Sequence, residues 1–359
     1  MLVADFDFDL PDALIAQHAR PRGESRLMIV DRVAGRWQEG HIRDLPGVLA
    51  SGDRLVVNDT RVFPARLIGR RDPSGGAAEC FLIERVDERH WQALVHPGQK
   101  LKAGAELIFE DAARVPGVTL RGTILEQRYP NAWGRRLVAF TVTGAPSLDA
   151  AVDALGHVPL PPYIHRDDTA EDRERYQTIF ARARGSIAAP TSGLHFDDAL
   201  VAALAARGVL RTAITLHVGY GTFKPVRVDR VEEHVVDSEA YEIPQAAARE
   251  IAATRVAGGR IVAVGTTTTR ALESAAQADG VVRPGAGVAE VFIFPGSADA
   301  PGHAFRAVDA LVTNFHLPKS SLLMLVAAFA GRELVLAVYR DAVARGFRFY
   351  SYGDAMVIV

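Results

Sequence analysis

Three histidines hold comparable places in this 359-residue chain: His195 in "TSGLHF", His217 in "TLHVGYGTF" and His316 in "NFHLPKSS". Each stands at, or just past, the end of an apolar run that reads as a strand. An imidazole changes charge near neutral pH, so histidines placed this way suit proton transfer or metal binding. Taken singly, each also fits a capping or packing role. The metal reading lacks support, because no HExxH, HxH or nearby carboxylate spacing accompanies them. The common placement of the three is the argument for one shared site.

The surrounding loops point the same way. Four apolar runs lead into polar loops: "GSIAAP" into "TSGLHF", "RTAITLHVG" into "YGTFKP", "RIVAVG" into "TTTTR", and "DALVTN" into "FHLPKSS". In open α/β sheets ligands bind outside the carboxyl ends of the strands, so four such loops can converge on one pocket. Convergence gives Thr191, Ser192, Gly193 and His195 a purpose that a plain βα turn, capped by Asp197 or Asp198, would not need. Gly219 and Gly221 let a backbone approach a flat ligand closely. They are a weak dinucleotide fingerprint, since Lys224 stands where a third glycine belongs. Thr266 and Thr267 open a helix whose free N–H groups and hydroxyls could meet a carboxylate or phosphate. Asn58, Asp59, Thr60 and Arg61 follow a further strand, where hinge and pocket roles both fit.

These loops need a scaffold, and the chain changes texture along its length. Residues 1 to about 62 and from about 147 onward mix strands with helices. Helical stretches start at Pro244, ending in Gly258-Gly259, and run from Thr269 to Gly280. Between 63 and 146 lie "AECFLIERV", "HWQALVH", "AELIFE", "VTLRGTILEQ" and "RRLVAFTVT". Short runs at even spacing suggest a small barrel or sandwich. The expected fold class is α/β: one mostly parallel α/β domain (1–62 and 147–359) built from both chain ends, with an inserted small β-barrel domain (63–146).

Composition narrows the function classes. A hydrophobic fraction of 48% supports a large core, and the lone Cys80 excludes an intrachain disulfide framework or a Cys-cluster zinc site. The start, "MLVADFDFDLPDALI", lacks the basic region of a signal peptide, and "LLMLVAAFA" is too short to span a bilayer. The expectation is a soluble cytoplasmic protein with no membrane partner. A net charge of −2 gives no global pull toward nucleic acid. Arg61, Arg66, Arg70 and Arg71 form a basic cluster. A second one, from Arg166 through Arg173 and Arg175 to Arg182 and Arg184, is interleaved with acids and reads as a solvated helix face.

At these loops the sequence resembles the S-adenosylmethionine:tRNA ribosyltransferase-isomerases of queuosine biosynthesis. The resemblance runs through "GDRLVVNDTRVFPARL", "GHVPLPPYI", "ERYQTIFA", "AAPTSGLHF", "TLHVGYGTFKPV", "VAVGTTTTRALES", "VDALVTNFHLPKSSLLMLVAAFAG" and "YSYGDAM". Departures stand at His96, at Val236 and Asp237, and at Thr268 and Thr269. The resemblance implies an α/β domain with an inserted barrel and a monomer. It also implies transfer and isomerisation of the ribosyl part of S-adenosylmethionine onto 7-aminomethyl-7-deazaguanine in a tRNA anticodon arm. S-adenosylmethionine is then a consumed substrate, and no cofactor or metal is expected. Under that chemistry His195 or His217 is the expected base, with His316 third and Glu239 or Asp354 as carboxylate partners. Arg61 or Arg270 would meet a carboxylate or phosphate. Phe196, Tyr220 and Phe223 would stack a base, and Thr222 and Asn314 complete the substrate set. Arg66, Arg70 and Arg166 would hold tRNA. A metal-dependent hydrolase and a non-catalytic tRNA-binding module are the competing classes.

Overall fold

The structure is a computed structural model, described for residues 1–125, 134–297 and 300–359, apart from the side chain of Phe223. The chain divides into two compact units. One comprises Met1–Arg61, Pro161–Arg166 and Arg175–Val359; the other comprises Val62–Leu160 and Asp167–Glu174.

In chain order the elements begin with β1 (Arg26–Asp31), β2 (Arg36–His41), α1 (Leu45–Val48), β3 (Arg54–Asn58) and β4 (Thr60–Val62). The barrel strands follow: β5 (Arg66–Asp72), β6 (Ala77–Arg85), β7 (His90–His96), β8 (Glu106–Glu110), β9 (Thr119–Leu125) and β10 (Arg135–Thr143). Next come α2 (Leu148–Leu155), α3 (Asp172–Arg175), β11 (Ala183–Ser186), α4 (Asp198–Ala206), β12 (Leu210–Leu216), β13 (Glu239–Ile243) and α5 (Gln245–Val256). The chain ends with β14 (Ile261–Val264), α6 (Thr266–Ala275), β15 (Gly285–Ala289), β16 (Ala310–Asn314), α7 (Ser321–Ala330), α8 (Arg332–Ala344) and β17 (Ala355–Ile358).

The second unit is a closed barrel in the order β10-β7-β6-β5-β8-β9. Alternating burial along β6 and β7 marks the inward face. Strand β5 completes the ring, although its charged sequence, "RLIGRRD", gives little apolar signal. Glu126 and Gln127, which the sequence added to β9, lie outside the described residues. The unit also runs on past residue 146, because α2 packs on β9 and β10.

The first unit carries a nine-stranded sheet, β15-β13-β12-β3-β14-β16-β17-β1-β2. Strands β12, β3, β14 and β16 are mutually parallel. Strands β3, β14, β16 and β17 are buried along their whole length, as expected when both faces are covered. Leu55, Val57, Val262, Val264 and Val312 enter one core with α1 and α4. Val56, Ala263 and Leu311 enter the other with α5 to α8. The sheet is more mixed than expected: β17 runs antiparallel to β16, while β13, β15 and β2 are antiparallel additions at the margins.

Local readings shift in three places. The strand expected at 185–189 forms earlier, as β11, and pairs with β4 rather than entering the large sheet. Helix α6 starts at Thr266, with Gly265 (φ 92°) taking the entry turn, and ends at Ala275, short of the expected Gly280. Two of the arginines read as a solvated face are backbone staples: Arg173 donates to the Asp153 and Gly156 carbonyls, and Arg175 to the Arg20 carbonyl, while Arg182 is exposed. Among the described residues no single helix is long and apolar enough to cross a membrane.

Candidate active site

Four parallel strands bring His217, Asn58, Gly265 and Asn314 to one edge of the sheet. The amino ends of β17 and β1 reach that edge too, since Ala355 pairs with Asn314 and Leu27 with Ala355. The edge is therefore closed by Tyr350–Asp354 and by Ser25, from segments that carry no strand-end signature in sequence.

A pocket opens here, with about 540 Å³ of space including its mouth. Thr191, Thr222, Thr266, Thr267, Asn314 and His316 line it, which brings six expected site residues together. Tyr163, Tyr176 and Tyr350 also line it, and sequence reasoning did not single them out. The Thr267 hydroxyl is buried and meets no hydrogen-bond partner among the described residues. It stands in the first turn of α6, where backbone N–H groups favour an anion.

The three histidines part company. His316 lines the pocket, with Nε2 against Thr313 Oγ1 at 2.9 Å, and burial pushes its pKa down to about 3. His195 is outside the lining and only 4% exposed, with Nδ1 at 2.7 Å from Ser25 Oγ and Nε2 at 3.1 Å from Asn314 Nδ2. Burial, then Arg175 and Arg348, lower its pKa to about 3. His217 is also outside the lining, with Nδ1 at 2.8 Å from Thr60 Oγ1. Burial lowers its pKa, against the pull of Asp59 and Glu242.

Several expected binding residues serve the scaffold. Asn58 donates to the Leu216 carbonyl at 2.9 Å and accepts from the N–H groups of Thr60 and Leu216. Asp59 accepts from Thr215 Oγ1 at 2.6 Å and pairs with Arg182 at 3.3 Å. Glu239 forms a buried ion pair with Arg270 and accepts from the Gly219 N–H at 2.9 Å. Burial pushes its carboxyl above the usual range, and Arg270 opposes that. Arg270 further donates to the carbonyls of Asp237, Ala289 and Val291, so its guanidinium is committed within the fold. Asp354 accepts from the N–H groups of Arg26 and Arg348. Phe196 is wholly buried beside Phe180 and offers no face for stacking. A side chain on Gly193 would meet Thr178 at 2.8 Å, and one on Gly221 would meet Asp237 at 2.5 Å, so both glycines serve close packing. Tyr220 is half-buried, and the Phe223 ring lies outside the described residues.

The basic residues divide as well. Arg61 is exposed. Arg66 is held by both oxygens of Glu79, at 2.9 and 3.0 Å, and Arg70 by Glu110 at 2.5 Å. Arg166 donates to the Gln17 carbonyl at 3.3 Å. Among the described residues no three His, Cys, Asp or Glu side chains gather as a metal site requires.

A mixed sheet with a pocket at its strand ends, plus a closed barrel, describes a two-unit α/β protein with one candidate site at the sheet edge. The chain matches the model of a family described as queuosine biosynthesis protein over residues 3–358. It is 50% identical to the S-adenosylmethionine:tRNA ribosyltransferase-isomerase of Symbiobacterium thermophilum, over the full length of both chains. It is 51% identical to the protein of that name from Anaeromyxobacter sp. (strain K), covering 100% of this chain and 99% of the other. It is also similar to the crystal structure of the S-adenosylmethionine tRNA ribosyltransferase of Thermotoga maritima. That likeness has a TM-score of 0.53 at 36% identity, with 99% of this chain and 100% of the other covered. The chain belongs to the queuosine biosynthesis family.

Proposed function

We propose that the chain transfers and isomerises the ribosyl part of S-adenosylmethionine onto 7-aminomethyl-7-deazaguanine at the tRNA wobble position. The products are epoxyqueuosine-tRNA, adenine and methionine. S-adenosylmethionine is consumed, so no cofactor takes part, and the reaction belongs to the cytoplasm. The observation that carries this reading is the pocket lining, where the start of α6 and three tyrosines occur together. A donor with a carboxylate at one end and a purine at the other needs both kinds of wall: N–H groups and hydroxyls, and aromatic faces.

The chemistry assigns roles. The sulfonium acidifies the C5′ hydrogens of the ribose, and a base must remove one. His316 takes that role in this reading because it touches the pocket and is unprotonated at pH 7, although the burial that keeps it so also makes it a weak base. Its Nδ1 bonds to no described residue. Thr266 and Thr267 take the methionine carboxylate. The hydroxyls of Thr191 and Thr222 direct the opening and reclosing sugar. Departing adenine takes up a proton equivalent to the one removed from C5′, and the tRNA-borne amine, arriving uncharged, releases one as its C–N bond forms.

The test is single-turnover adenine release, followed by chromatography. Adenine and methionine should appear in equal amounts with tRNA carrying 7-aminomethyl-7-deazaguanine, and no adenine should appear from S-adenosylmethionine alone. Formation of S-adenosylhomocysteine would mean methyl transfer and would overturn the reading.

A further inference from the structure

Asn314 joins three separate segments at the pocket edge. Its Oδ1 accepts from Ser192 Oγ at 2.9 Å and Thr191 Oγ1 at 3.3 Å. Its Nδ2 donates to the Tyr350 carbonyl at 3.1 Å and faces His195 Nε2 at 3.1 Å. A carbonyl can only accept, so the amide nitrogen must face Tyr350, and its second hydrogen then points at His195. Nε2 is therefore the bare ring nitrogen. The one proton of the neutral imidazole sits on Nδ1 and goes to Ser25 Oγ, 2.7 Å away. This chain of bonds leaves His195 no free nitrogen for a substrate.

What the chain fixes is Tyr350. Its φ is 74°, a left-handed conformation that costs a bulky residue free energy and persists only where neighbours impose it. Its N–H donates to the Phe315 carbonyl at 2.9 Å, and its own carbonyl accepts from Gly353 N–H as well as from Asn314. The side chain lines the pocket, edge-on to Tyr163 with ring centroids 3.8 Å apart. Of the three tyrosines, Tyr176 is 1% exposed, while Tyr163 and Tyr350 are both half-buried; the Tyr163 hydroxyl is tied to Ser351, and Tyr350 is the one in the left-handed conformation.

We propose that Ser25, His195 and Asn314 form a positioning relay that holds Tyr350 in its left-handed conformation as the stacking wall for the purine of the donor. The purine assignment rests on the ribosyl-transfer reading. His195 is then a positioning residue that acts through Asn314.

The relay has a signature in pH. The charges facing His195 are Arg175 and Arg348, and both disfavour its protonation, as does burial. The wild-type relay is accordingly uncharged from pH 5.5 to 8.5. Asn314→Asp puts a carboxylate between two acceptors, the Tyr350 carbonyl and Nε2. It also raises the pKa of His195, because a proton on Nε2 now gains a partner. Acidification supplies the missing hydrogens at this junction, one on Nε2 and one on the new carboxyl oxygen that faces the Tyr350 carbonyl, so both bonds are present below these raised pKa values and lost as pH rises through them.

The experiment is calorimetric titration of S-adenosylmethionine into the full-length protein at pH 5.5, 7.0 and 8.0. Wild type should vary less than about threefold across that range. Asn314→Asp should bind at least about tenfold more tightly at pH 5.5 than at pH 8.0. Tyr350→Phe keeps the ring and should bind within about threefold of wild type, whereas Tyr350→Leu should weaken binding by about tenfold or more, as loss of a stacked base does. Parallel pH profiles for wild type and Asn314→Asp would overturn the relay. Equal binding by Tyr350→Leu and Tyr350→Phe would overturn the wall, and that pair decides alone if Asn314→Asp does not fold. Adenine release by the wild type with modified tRNA is measured alongside. Binding without release would sink the ribosyl-transfer reading and leave the relay standing on its own titrations.

Discussion

Replacing Arg270 by methionine should expose how much of this fold depends on one buried charge pair. The Arg270 and Glu239 side chains are 12% and 4% exposed. Removing one partner of such a pair costs about 3–5 kcal/mol, because the other charge is left buried and uncompensated. At about 2–4 °C per kcal/mol for a unit of this size, the loss is roughly 6–20 °C in Tm. The loss should also depend on pH, with a definite sign. Burial already raises Glu239, and Arg270 is the main opposing influence. Without the guanidinium the carboxyl rises further and binds its proton more tightly folded than unfolded. Stability then falls as pH rises from about 4.3 through the folded value, so the deficit of Arg270→Met should shrink on acidification from pH 8 to pH 5. Urea unfolding followed by circular dichroism at three pH values reads this directly. The double variant Arg270→Met with Glu239→Leu should recover most of the stability, since an apolar pair can replace a buried ionic one. It should still bind S-adenosylmethionine about tenfold more weakly, because the Gly219 N–H loses its acceptor and Thr222 loses a firm loop. A deficit below about 1 kcal/mol at pH 8, the scale of a surface pair, or one that is equal at all three pH values, would refute the reasoning.

Three further outcomes follow from the site. Thr267→Val removes the unpartnered hydroxyl and should raise the KM for S-adenosylmethionine about tenfold with kcat within about threefold; an unchanged KM removes the carboxylate from the start of α6. His316→Gln should slow single-turnover adenine release by roughly a hundredfold or more. Because His316 titrates near pH 3, the wild-type rate should show no acid limb from it between pH 6 and 8, and a limb near 6.5 that vanishes in the variant would contradict its buried state. Arg66→Ala and Arg70→Ala should alter tRNA affinity less than about threefold, because each guanidinium is already paired with a carboxylate. Arg61→Ala should reduce the salt slope of filter binding by about one, the effect of a single phosphate contact.

What the sequence could disclose depends on how local its signal is. Parallel buried strands announce themselves as apolar runs, and the polar loops after β14 and β16 stand out against them; Thr266, Thr267, Asn314 and His316 were legible for that reason. The closing wall was not. Tyr350 and Ser25 reach the site because β17 runs antiparallel to β16 and parallel to β1, and strand direction leaves no mark on the residues of a strand buried on both faces. The histidines illustrate the same limit from the other side. His195 and His316 both follow apolar runs and are both driven to a pKa of about 3 by burial, yet one lines the pocket and the other sits behind Asn314. Residue type and spacing placed them at one edge of one sheet. His195 is kept from the pocket lining behind a single amide, that of Asn314, whose orientation is set by the backbone carbonyl of a tyrosine 36 residues further along the chain. A side chain's chemistry in such a site is fixed by what its hydrogen-bond partner is bonded to in turn, and that information is two contacts removed from the sequence.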